Sequence, residues 1–501
     1  MKTIKIDEVV WDPSIYPRDK WSTSVVNEYV DVLKSGKQFK TPIVVEEGTN
    51  RLLDGKHRHL AYSKYQTEYD DASKSDKFDP NEWATPVDEI PVEYHKIPEG
   101  VPAYLYALSL SAKHGLRHTP TDKKTVARRV LQENPDFDVN RIAEYASVSW
   151  KTAKTYVEDL LARRKEEQKY IAYRTYLLGW TKEEVASGIG CPRKTVDDRY
   201  FSAKNGNPEK LQDFAKNSLP PDSEFGKLES SVKDLLNSGI PHLDVAERFN
   251  MPLILIHAID LQGRTDEERM NRLNISIMPY DNWTFGKCND LFGNDHPGRI
   301  PGQLVAHVLY FFTEQGDMVI DPMSGSGTTQ DVCLAMGRKC YAYDIDTRHN
   351  RHDVIVHNIE KDGWHDRIKK ADLIFWDPPY FSKMDKANIG ENGYIEGSIS
   401  QLQRDKYLEF FASRLADAKK MVKPGTKVAF LMSDWDDEKE EQEGIFIWDY
   451  ANVMKEAGWK LKRQIQCPLS TQQVHPDIVN KFRKSKRLAR LERYLIIGKA
   501  E

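Results

Sequence analysis

The sequence lacks any apolar run approaching the roughly 20 residues that cross a bilayer. Its first residues, MKTIKIDEVVWDP, also carry charges where a secretory signal peptide needs an apolar segment. These two absences predict a cytoplasmic protein with no membrane partner.

Cysteine is scarce and widely spaced. The chain has 5 cysteines in 501 residues, and no two of them form a Cys-x-x-Cys pair. This spacing argues against both a zinc ribbon and a disulfide framework. We therefore expect no metal site.

Positive charge is not in excess either, because 73 basic residues face 77 acidic ones. A global balance can hide a local patch, and one lies near the end of the chain in NKFRKSKRLARLERY. There the basic residues from Lys481 to Arg493 accompany a single acid, Glu492. The segment is either a solvated basic helix or a phosphate-binding element, and in the second case Lys484 and Arg487 are its DNA-binding candidates.

The rest of the chain shows three kinds of pattern, which predict a multidomain α/β protein. The first region resembles a small mixed α/β domain, since Val26 to Leu33 has helical spacing and Leu52 to Tyr65 predicts a strand, a turn and a helix start. The second is helical, and the third alternates strands with helices. The predicted boundaries are 1–115, 116–265 and 274–501.

Three stretches of the helical region repeat a helix, a tight turn and a second helix: RIAEYASVSWKTAKTYVEDL, WTKEEVASGIGCPRKTVDDRY and HLDVAERFNMPLILIHAIDL. This is the spacing of a helix-turn-helix, whose second helix can enter a DNA major groove, although any short helical hairpin gives a similar pattern. The first two stretches are the better DNA-binding candidates because basic residues open their second helices: Lys151, Lys154, Arg193 and Lys194.

The third region contains DMVIDPMSGSGTTQDVCLAMG, which predicts a buried strand, a glycine-rich turn and a helix. Such a turn directs backbone N–H groups toward a ligand, but it lacks the features of a P-loop and of a dinucleotide site. Acids end this strand and two later ones, at Asp321, Asp344 and Asp377. In a doubly wound parallel sheet all three would lie in the crevice at the carboxyl ends of the strands.

The stretch ADLIFWDPPYFSK runs an apolar strand into Asp377 and two prolines. Proline fixes φ at about −65° and has no N–H to continue a sheet, so the strand stops and its last carbonyls point elsewhere. This predicts either a plain turn or a strand end that presents polar groups to a ligand.

The segments PGRIPGQLVAHVLYFFTEQGDMVIDPMSGSGTT, YAYDID and DLIFWDPPY resemble, in this order, parts of the S-adenosylmethionine-dependent DNA amino-methyltransferases, particularly the adenine-N6 type. The resemblance covers about Asn282 to Gly498 and implies a Rossmann-like sheet. Met323 stands where the family usually has phenylalanine, and Asn358 where it often has aspartate. The residues implied to bind the cofactor are Asp321, Pro322, Met323, Gly325, Gly327, Thr328, Asp344 and Asn358.

The same resemblance implies a catalytic set of Asp377, Pro378, Pro379 and Tyr380. Asp377 and the Pro378 carbonyl would accept hydrogen bonds from the target amino group, and Tyr380 would stack on the flipped-out base. Two acceptors would pull a ring-conjugated nitrogen toward tetrahedral geometry and free its lone pair. Aspartate at the first position of the motif favours adenine N6, with cytosine N4 as the alternative.

Near the amino terminus, Tyr16 to Lys20 and Leu52 to Tyr62 resemble the two boxes of a ParB/sulfiredoxin-type domain. Lys56 stands where sulfiredoxins have a reactive cysteine, which excludes their chemistry. Two interpretations stay open: a structural clamp without a nucleotide, or a nucleotide-phosphate site at a strand-to-helix turn. The residues of that site would be Gly55, His57 and Arg58.

These expectations combine into a DNA adenine-N6 methyltransferase whose helix-turn-helix modules select a site in double-stranded DNA. A homodimer would suit a palindromic site. The alternatives are a cytosine-N4 enzyme, an RNA methyltransferase, and a non-enzymatic ParB-like, nucleotide-gated DNA-binding regulator whose methyltransferase domain has decayed. The intact glycines of the cofactor loop and the intact Asp-Pro-Pro-Tyr motif argue against decay.

Overall fold

A computed structural model of the chain describes residues 2–16, 21–75, 78–79, 83, 86–99, 101–114, 119–134, 137–202, 219–285, 287–294, 299–346, 348, 351–381, 398–435, 443–468, 480, 483–486 and 492–501. Residues 17–20 of the first predicted ParB-like box and the DNA-binding candidate Arg487 lie outside these ranges.

The chain divides into two compact units, Met1–Glu166 and Glu167–Glu501. The division falls within a long helix rather than at residue 115 or near residue 265. Independent folding of the three predicted domains stays a prediction.

The first unit contains a mixed four-stranded sheet in the order β1-β4-β2-β3, in which β2 and β4 are parallel and the other pairs antiparallel. Its strands are β1 (Lys2–Lys5), β2 (Ile43–Glu46), β3 (Leu52–Asp54) and β4 (Glu89–His95). Its helices are α1 (Thr23–Lys34), α2 (Lys56–Ser73), α3 (Ala103–His114), α4 (Pro120–Glu133), α5 (Val139–Tyr145) and the start of α6 (Trp150–Leu177).

Local sequence explains these elements. Helix α1 begins after Ser22, whose hydroxyl accepts the Val25 N–H, and it buries Val26, Val30 and Leu33 against the sheet core. The predicted strand, turn and helix start from Leu52 onward are confirmed as β3, a left-handed Gly55 and α2.

The second unit contains the remaining elements. Its helices after α6 are α7 (Lys182–Gly188), α8 (Arg193–Val196), α9 (Glu224–Asn237), α10 (His242–Phe249), α11 (Leu253–Asp260), α12 (Asp266–Arg272), α13 (Gly302–Phe312), α14 (Thr328–Met336), α15 (Ile359–Asp362), α16 (Arg404–Met421) and α17 (Ile447–Glu456). Its strands are β5 (Met318–Asp321), β6 (Lys339–Asp344), β7 (Val354–Val356), β8 (Leu373–Trp376), β9 (Lys427–Ser433), β10 (Lys460–Gln466) and β11 (Arg493–Lys499).

The strands of the second unit form one sheet in the order β10-β11-β9-β8-β5-β6-β7. The chain leaves β5 for β6 and β7 on one side, then returns to β8 and β9 on the other. This reversal opens a crevice between the carboxyl ends of β5 and β8, where doubly wound sheets bind ligands. Both strands are buried throughout, as strands covered on both faces are.

The prediction of an entirely parallel sheet is wrong at one strand. Strand β11 runs antiparallel to both β9 and β10. Its continuous apolar residues indicate burial. A buried strand has the same apolar pattern whether it runs parallel or antiparallel to its neighbours, so the pattern could not predict its orientation.

The three predicted helix pairs are present as α5 with α6, α7 with α8, and α10 with α11. Left-handed residues turn the first and third pairs, at Ser147 and Asn250. Helix α8 is short and continues into a π-helical turn, Asp197–Phe201. Across the described part of the chain, no helix has both the length and the apolar character needed to cross a membrane.

The second helix pair is hydrogen-bonded to strand β6 of the sheet. The Trp180 indole donates to the Cys340 carbonyl of β6 at 3.2 Å, and the Tyr341 hydroxyl donates to Glu184 of α7 at 2.8 Å. The Arg367 guanidinium also pairs with Glu184. Helix α7 is therefore part of the same packed body as the strand that carries Asp344.

Candidate active site

The three acids predicted for the crevice lie at one edge of the sheet. Asp321 and Asp344 end β5 and β6, and Asp377 directly follows β8. The negative charges of Asp377 and Asp344 both act on Asp321. The structure thus places the predicted cofactor and catalytic acids in a single crevice.

Asp321 lies at the bottom of this crevice and is 2% exposed. Its Oδ1 accepts the Met323 N–H at 3.1 Å. Burial raises the pKa of Asp321 to about 7, the charges of Asp377 and Asp344 add to this, and hydrogen bonds from Thr329 and Met323 oppose it. No basic side chain in the described ranges pairs with Asp321, so a cationic ligand would be stabilised there.

The glycine-rich turn is held against β6. The Gly325 N–H donates to Asp344 Oδ2 at 2.8 Å, and the Ser324 N–H donates to the Tyr343 carbonyl at 2.9 Å. Gly327 has φ +85° and caps α14. A Cβ atom at this position would collide with the Arg351 guanidinium, so glycine is required by both conformation and space.

Sequence reasoning missed Arg351, which hydrogen-bonds to this turn and to two nearby acids. Its buried guanidinium donates to Asp331 at 2.9 and 3.0 Å, to Asp353 at 2.7 and 2.9 Å, and to the Ser326 carbonyl at 3.1 Å. Burial opposes ionisation of Asp353, yet the charge of Arg351 and then that of Arg174 hold its pKa well below the usual value. An acid at position 331 inside an otherwise uncharged helix was the available signal, because a buried charge requires a partner.

The other predicted cofactor residues surround the same turn. Pro322 and Thr328 are buried and Met323 is half-buried. Asn358 caps α15, and its Oδ1 accepts the N–H groups of Glu360 and Lys361 at 3.0 and 3.1 Å. A ligand at Asn358 would meet an oxygen that already accepts two hydrogen bonds.

The Asp-Pro-Pro-Tyr motif forms a compact turn at the end of β8. The Tyr380 hydroxyl donates to Asp377 Oδ1 at 2.8 Å, and the Tyr407 hydroxyl of α16 donates to the Pro379 carbonyl at 3.0 Å. Within the described residues no donor occupies the Pro378 carbonyl. Burial raises the pKa of Asp377 to about 6, against the opposing effects of the Arg493 charge and the Tyr380 hydroxyl.

Arg493 corrects one interpretation of the sequence. The sequence places it in the basic segment near the end of the chain, but it opens β11 and is only 4% exposed. Its Nε donates to the Cys467 carbonyl at 3.2 Å. Lys484 is exposed, as are its neighbours Arg483 and Lys486.

The DNA-binding candidates of the first two helix pairs differ in their surroundings. Lys151, Lys154 and Lys194 are exposed, and Lys154 lies 5.1 Å from the centre of the exposed Trp150 ring. Arg193 instead pairs with two acids of its own helix pair, Glu183 and Asp197. Contact of any of these residues with DNA stays a prediction.

In the first unit, the predicted nucleotide residues gather at the start of α2. Gly55 has φ +96°, His57 accepts the Ser22 N–H at 3.0 Å, and Arg58 pairs with Asp54 at 3.0 Å. Lys56, which stands where sulfiredoxins have a cysteine, is buried at this turn and is 7% exposed.

The Lys56 ammonium lies 3.7 Å from the centre of the Trp11 ring. Burial lowers its pKa to about 8. No described residue forms a hydrogen bond or ion pair with this ammonium. Because a buried charge is costly without a partner, an anionic ligand would be stabilised here.

Comparison with known proteins bears on the second unit's site. The family model described as "DNA methylase" matches residues 4–354. This chain belongs to the DNA methylase family. The matched range contains the turn from Asp321 to Thr328 and Asp344, and it ends ahead of Asp377.

Two curated methyltransferases share short stretches with the chain. The type II methyltransferase M2.DpnII of Streptococcus pneumoniae is 32% identical over 79 residues, which cover 15% of this chain and 30% of the relative. The DNA adenine methyltransferase YhdJ of Escherichia coli strain K12 is 31% identical over 78 residues, covering 15% and 26%. The chain thus spans less than a third of the length of either relative.

A similar solved structure is that of the C-terminally truncated chromosome-partitioning protein ParB from Caulobacter crescentus, complexed with CTP-gamma-S. The alignment has 11% sequence identity and a TM-score of 0.16, and it covers 32% of this chain and 78% of that one.

Proposed function

We propose that this chain transfers a methyl group from S-adenosylmethionine to the N6 amino group of adenine in double-stranded DNA. One observation carries the proposal. Asp377 and the Pro378 carbonyl directly follow β8, next to the glycine-rich turn that follows β5, so two hydrogen-bond acceptors and this turn share one crevice.

The residues of the crevice fit S-adenosylmethionine. Asp321 is a buried carboxylate with no basic partner in the described chain, so it would pair with the cofactor's ammonium group. Asp344, already oriented by the Gly325 N–H, would accept hydrogen bonds from the ribose hydroxyls. When bound, the cofactor supplies an electrophilic methyl group.

The protein's part in catalysis is to position and polarise the target amine. An exocyclic amine conjugated to its ring is a weak nucleophile. Hydrogen bonds to Asp377 and to the Pro378 carbonyl would draw its two protons and expose the nitrogen lone pair. With a pKa of about 6, Asp377 is mostly ionised at neutral pH and is a strong acceptor.

The target base must leave the DNA stack to reach these acceptors, at a cost of a few kcal/mol. In the structure the Tyr380 hydroxyl donates to Asp377, so Tyr380 stands at the position that an incoming amine must approach. Aspartate as the first residue of the motif favours adenine. A cytosine-N4 target is the alternative, and YhdJ, a DNA adenine methyltransferase by name, supports the first choice.

We infer that the helix pairs supply the DNA contacts that position the duplex. Lys151, Lys154 and Lys194 expose their charges on the second helices of two pairs, and the segment around Lys484 adds a further basic surface. Phosphate contacts of this kind position a protein on DNA without reading its sequence. A homodimer is the expected assembly for a palindromic site.

The decisive experiment measures transfer of labelled methyl from S-adenosylmethionine to duplex DNA, followed by digestion to nucleosides. We expect label in N6-methyladenine, lost in Asp377→Ala and retained in Asp405→Ala, which removes an exposed acid of the same unit. Label in N4-methylcytosine would identify cytosine N4, rather than adenine N6, as the target. If DNA and cofactor both bind and no base is labelled, the proposal fails.

We also propose that the turn before α2 holds a nucleotide phosphate, because the buried Lys56 ammonium has no hydrogen bond or ion pair to any residue that the structure describes. Lys56→Met should weaken nucleoside triphosphate binding by roughly tenfold or more, measured by calorimetry, while Lys64→Met, an exposed site on the same helix, should not. Equal affinity in the two variants would leave the unit as a structural clamp.

A further inference from the structure

The end of helix α6 is joined to the sheet and brings an arginine to a pair of buried acids. The Cys340 N–H of β6 donates to the Leu178 carbonyl at 2.9 Å, directly after the end of α6. One turn earlier in the helix, the Arg174 guanidinium lies 3.7 Å from the Asp331 carboxylate and 3.6 Å from the Asp353 carboxylate. Arg174 is therefore held beside the same two acids that pair with Arg351.

Arg351 is the side chain that contacts the glycine-rich turn. It donates to the Ser326 carbonyl at 3.1 Å, and its guanidinium fills the space that a Cβ atom on Gly327 would need. Gly327 is also the residue at which α14 begins. The shape of the turn thus depends on whatever keeps Arg351 in place.

Two buried acids hold Arg351. Asp353 accepts its hydrogen bonds at 2.7 and 2.9 Å, and Asp331 accepts them at 2.9 and 3.0 Å. Asp331 is fixed from a second side, because its Oδ2 also accepts the Gly293 N–H at 2.8 Å. One guanidinium balances only one of these two negative charges, and a buried carboxylate without a balancing charge is costly.

Arg174 supplies the second positive charge. Among the described residues, it is the other cation that forms ion pairs with Asp331 and Asp353. Distances of 3.6 and 3.7 Å are too long for hydrogen bonds, so the contribution of Arg174 is its charge. Arg351 differs because its contacts are directed hydrogen bonds, which require the planar fork of a guanidinium.

We propose that Arg174 is a positioning residue for the cofactor, whose charge balances Asp331 and Asp353 and so keeps Arg351 against the glycine-rich turn. This inference rests on the proposed function for the identity of the ligand, S-adenosylmethionine. It makes cofactor affinity depend on α6, a helix of the predicted helical region rather than of the methyltransferase sheet. It does not depend on which base is methylated.

The test uses the full chain and compares Arg174→Met, Arg174→Lys and Arg351→Lys. The control is Arg248→Met, which removes an exposed arginine of α10 in the same unit. We expect Arg174→Met to raise the Kd of S-adenosylmethionine, measured by calorimetry, by roughly tenfold or more. Arg174→Lys should bind like wild type because it keeps the charge, whereas Arg351→Lys should bind weakly because it loses the fork. Equal weakening in Arg174→Met and Arg174→Lys would overturn a role based on charge.

Steady-state methyl transfer separates positioning from a loss of folded protein. In Arg174→Met we expect KM for S-adenosylmethionine to rise with Kd, while kcat at saturating cofactor stays within about twofold of the wild-type value, because Asp377 is unchanged. A merely structural role would give the reverse. A smaller folded fraction lowers the apparent kcat and leaves KM unchanged.

The NMR signal of the Arg351 Nε–H group gives a readout that needs no cofactor. This group donates to Asp353 Oδ1 at 2.9 Å, and its signal is assigned by its loss in Arg351→Lys. We expect the signal to shift or broaden in Arg174→Met. It should keep its wild-type position in Arg174→Lys and in Arg248→Met.

The outcomes separate this inference from the proposed function. If wild type methylates DNA and Arg174→Met binds the cofactor as Arg248→Met does, the positioning role is overturned and the activity stands. If wild type binds the cofactor without methylating DNA, and Arg174→Met weakens that binding, the role stands and the proposed function fails.

Two further outcomes also decide. If wild type binds no S-adenosylmethionine, the proposed function fails, and an unchanged Arg351 signal in Arg174→Met would overturn the support of the turn as well. If Arg174→Met does not fold, Arg174→Gln takes its place, since it keeps a polar side chain without the charge. Wild-type cofactor affinity in Arg174→Gln would overturn the role.

Discussion

Replacing Asp321 by asparagine should make the unbound protein more stable at pH 8, and the gain should vanish near pH 4. Asp321 is buried, faces two other acids and has no basic partner in the described chain. Asparagine is close in shape, and its side-chain oxygen can still accept the Met323 N–H. The substitution therefore removes a charge while keeping the hydrogen bond.

The sign and size follow from the two pKa values of this carboxyl. Its pKa is about 7 in the folded protein and 3.8 as the unperturbed reference. A carboxyl that holds its proton more tightly when folded makes the protein lose stability as pH rises from about 4 to about 7. At 1.36 kcal/mol per pH unit the full loss is roughly 4 kcal/mol, which is the ceiling for the gain in Asp321→Asn.

Hydrogen exchange of the β5 amides measures this gain, because local exchange reports opening of the second unit independently of the first. The free energy of opening of wild type and Asp321→Asn should differ most at pH 8 and converge as the pH approaches 4. Asp405→Asn, at an exposed acid, serves as the control and should show no such difference. A difference of equal size at both pH values would refute the reasoning.

Two further changes test the turn and the motif. Gly327→Ala places a Cβ on a residue in the left-handed conformation, where it collides with the Arg351 guanidinium. We expect the free energy of unfolding, measured by denaturation, to fall by about 1–3 kcal/mol, and S-adenosylmethionine binding, measured by calorimetry, to weaken. Unchanged values would contradict the collision. Tyr407→Phe removes the hydrogen-bond donor to the Pro379 carbonyl, so kcat should fall about tenfold while the Kd of the cofactor stays constant. A changed Kd would show that Tyr407 does not act through the Asp-Pro-Pro-Tyr motif.

Much of the second unit can be predicted from short-range patterns in the sequence. An apolar run followed by Gly-x-Gly and a helical pattern predicts a buried strand, a tight turn and a helix. The structure has β5, two left-handed glycines and α14 in that order. The placement of Asp321, Asp344 and Asp377 followed from one further rule, that parallel strands end at the same edge of a sheet.

What could not be predicted depends on contacts between distant residues. Arg351 pairs with Asp353, which is close in sequence, and also with Asp331, which lies on a different element. Nothing around position 331 predicts that its partner is Arg351. Arg493 sits beside a basic run, so local composition predicted an exposed charge, whereas strand pairing with Ser433 buries it. Whether a charged side chain is buried depends on the residue that pairs with it in the fold. The residues next to it in sequence say little about which residue that is.

The attachment of the second helix pair to β6 limits how a DNA site can vary. Since Glu184 ties α7 to Tyr341 and Arg367, the distance between Lys194 and Asp377 is set by the packed unit. If Lys194 touches a DNA phosphate, the spacing between that contact and the methylated base is fixed. Inserting one base pair between them would rotate and displace the target away from the crevice, so tolerance of spacer length would have to come from the first unit.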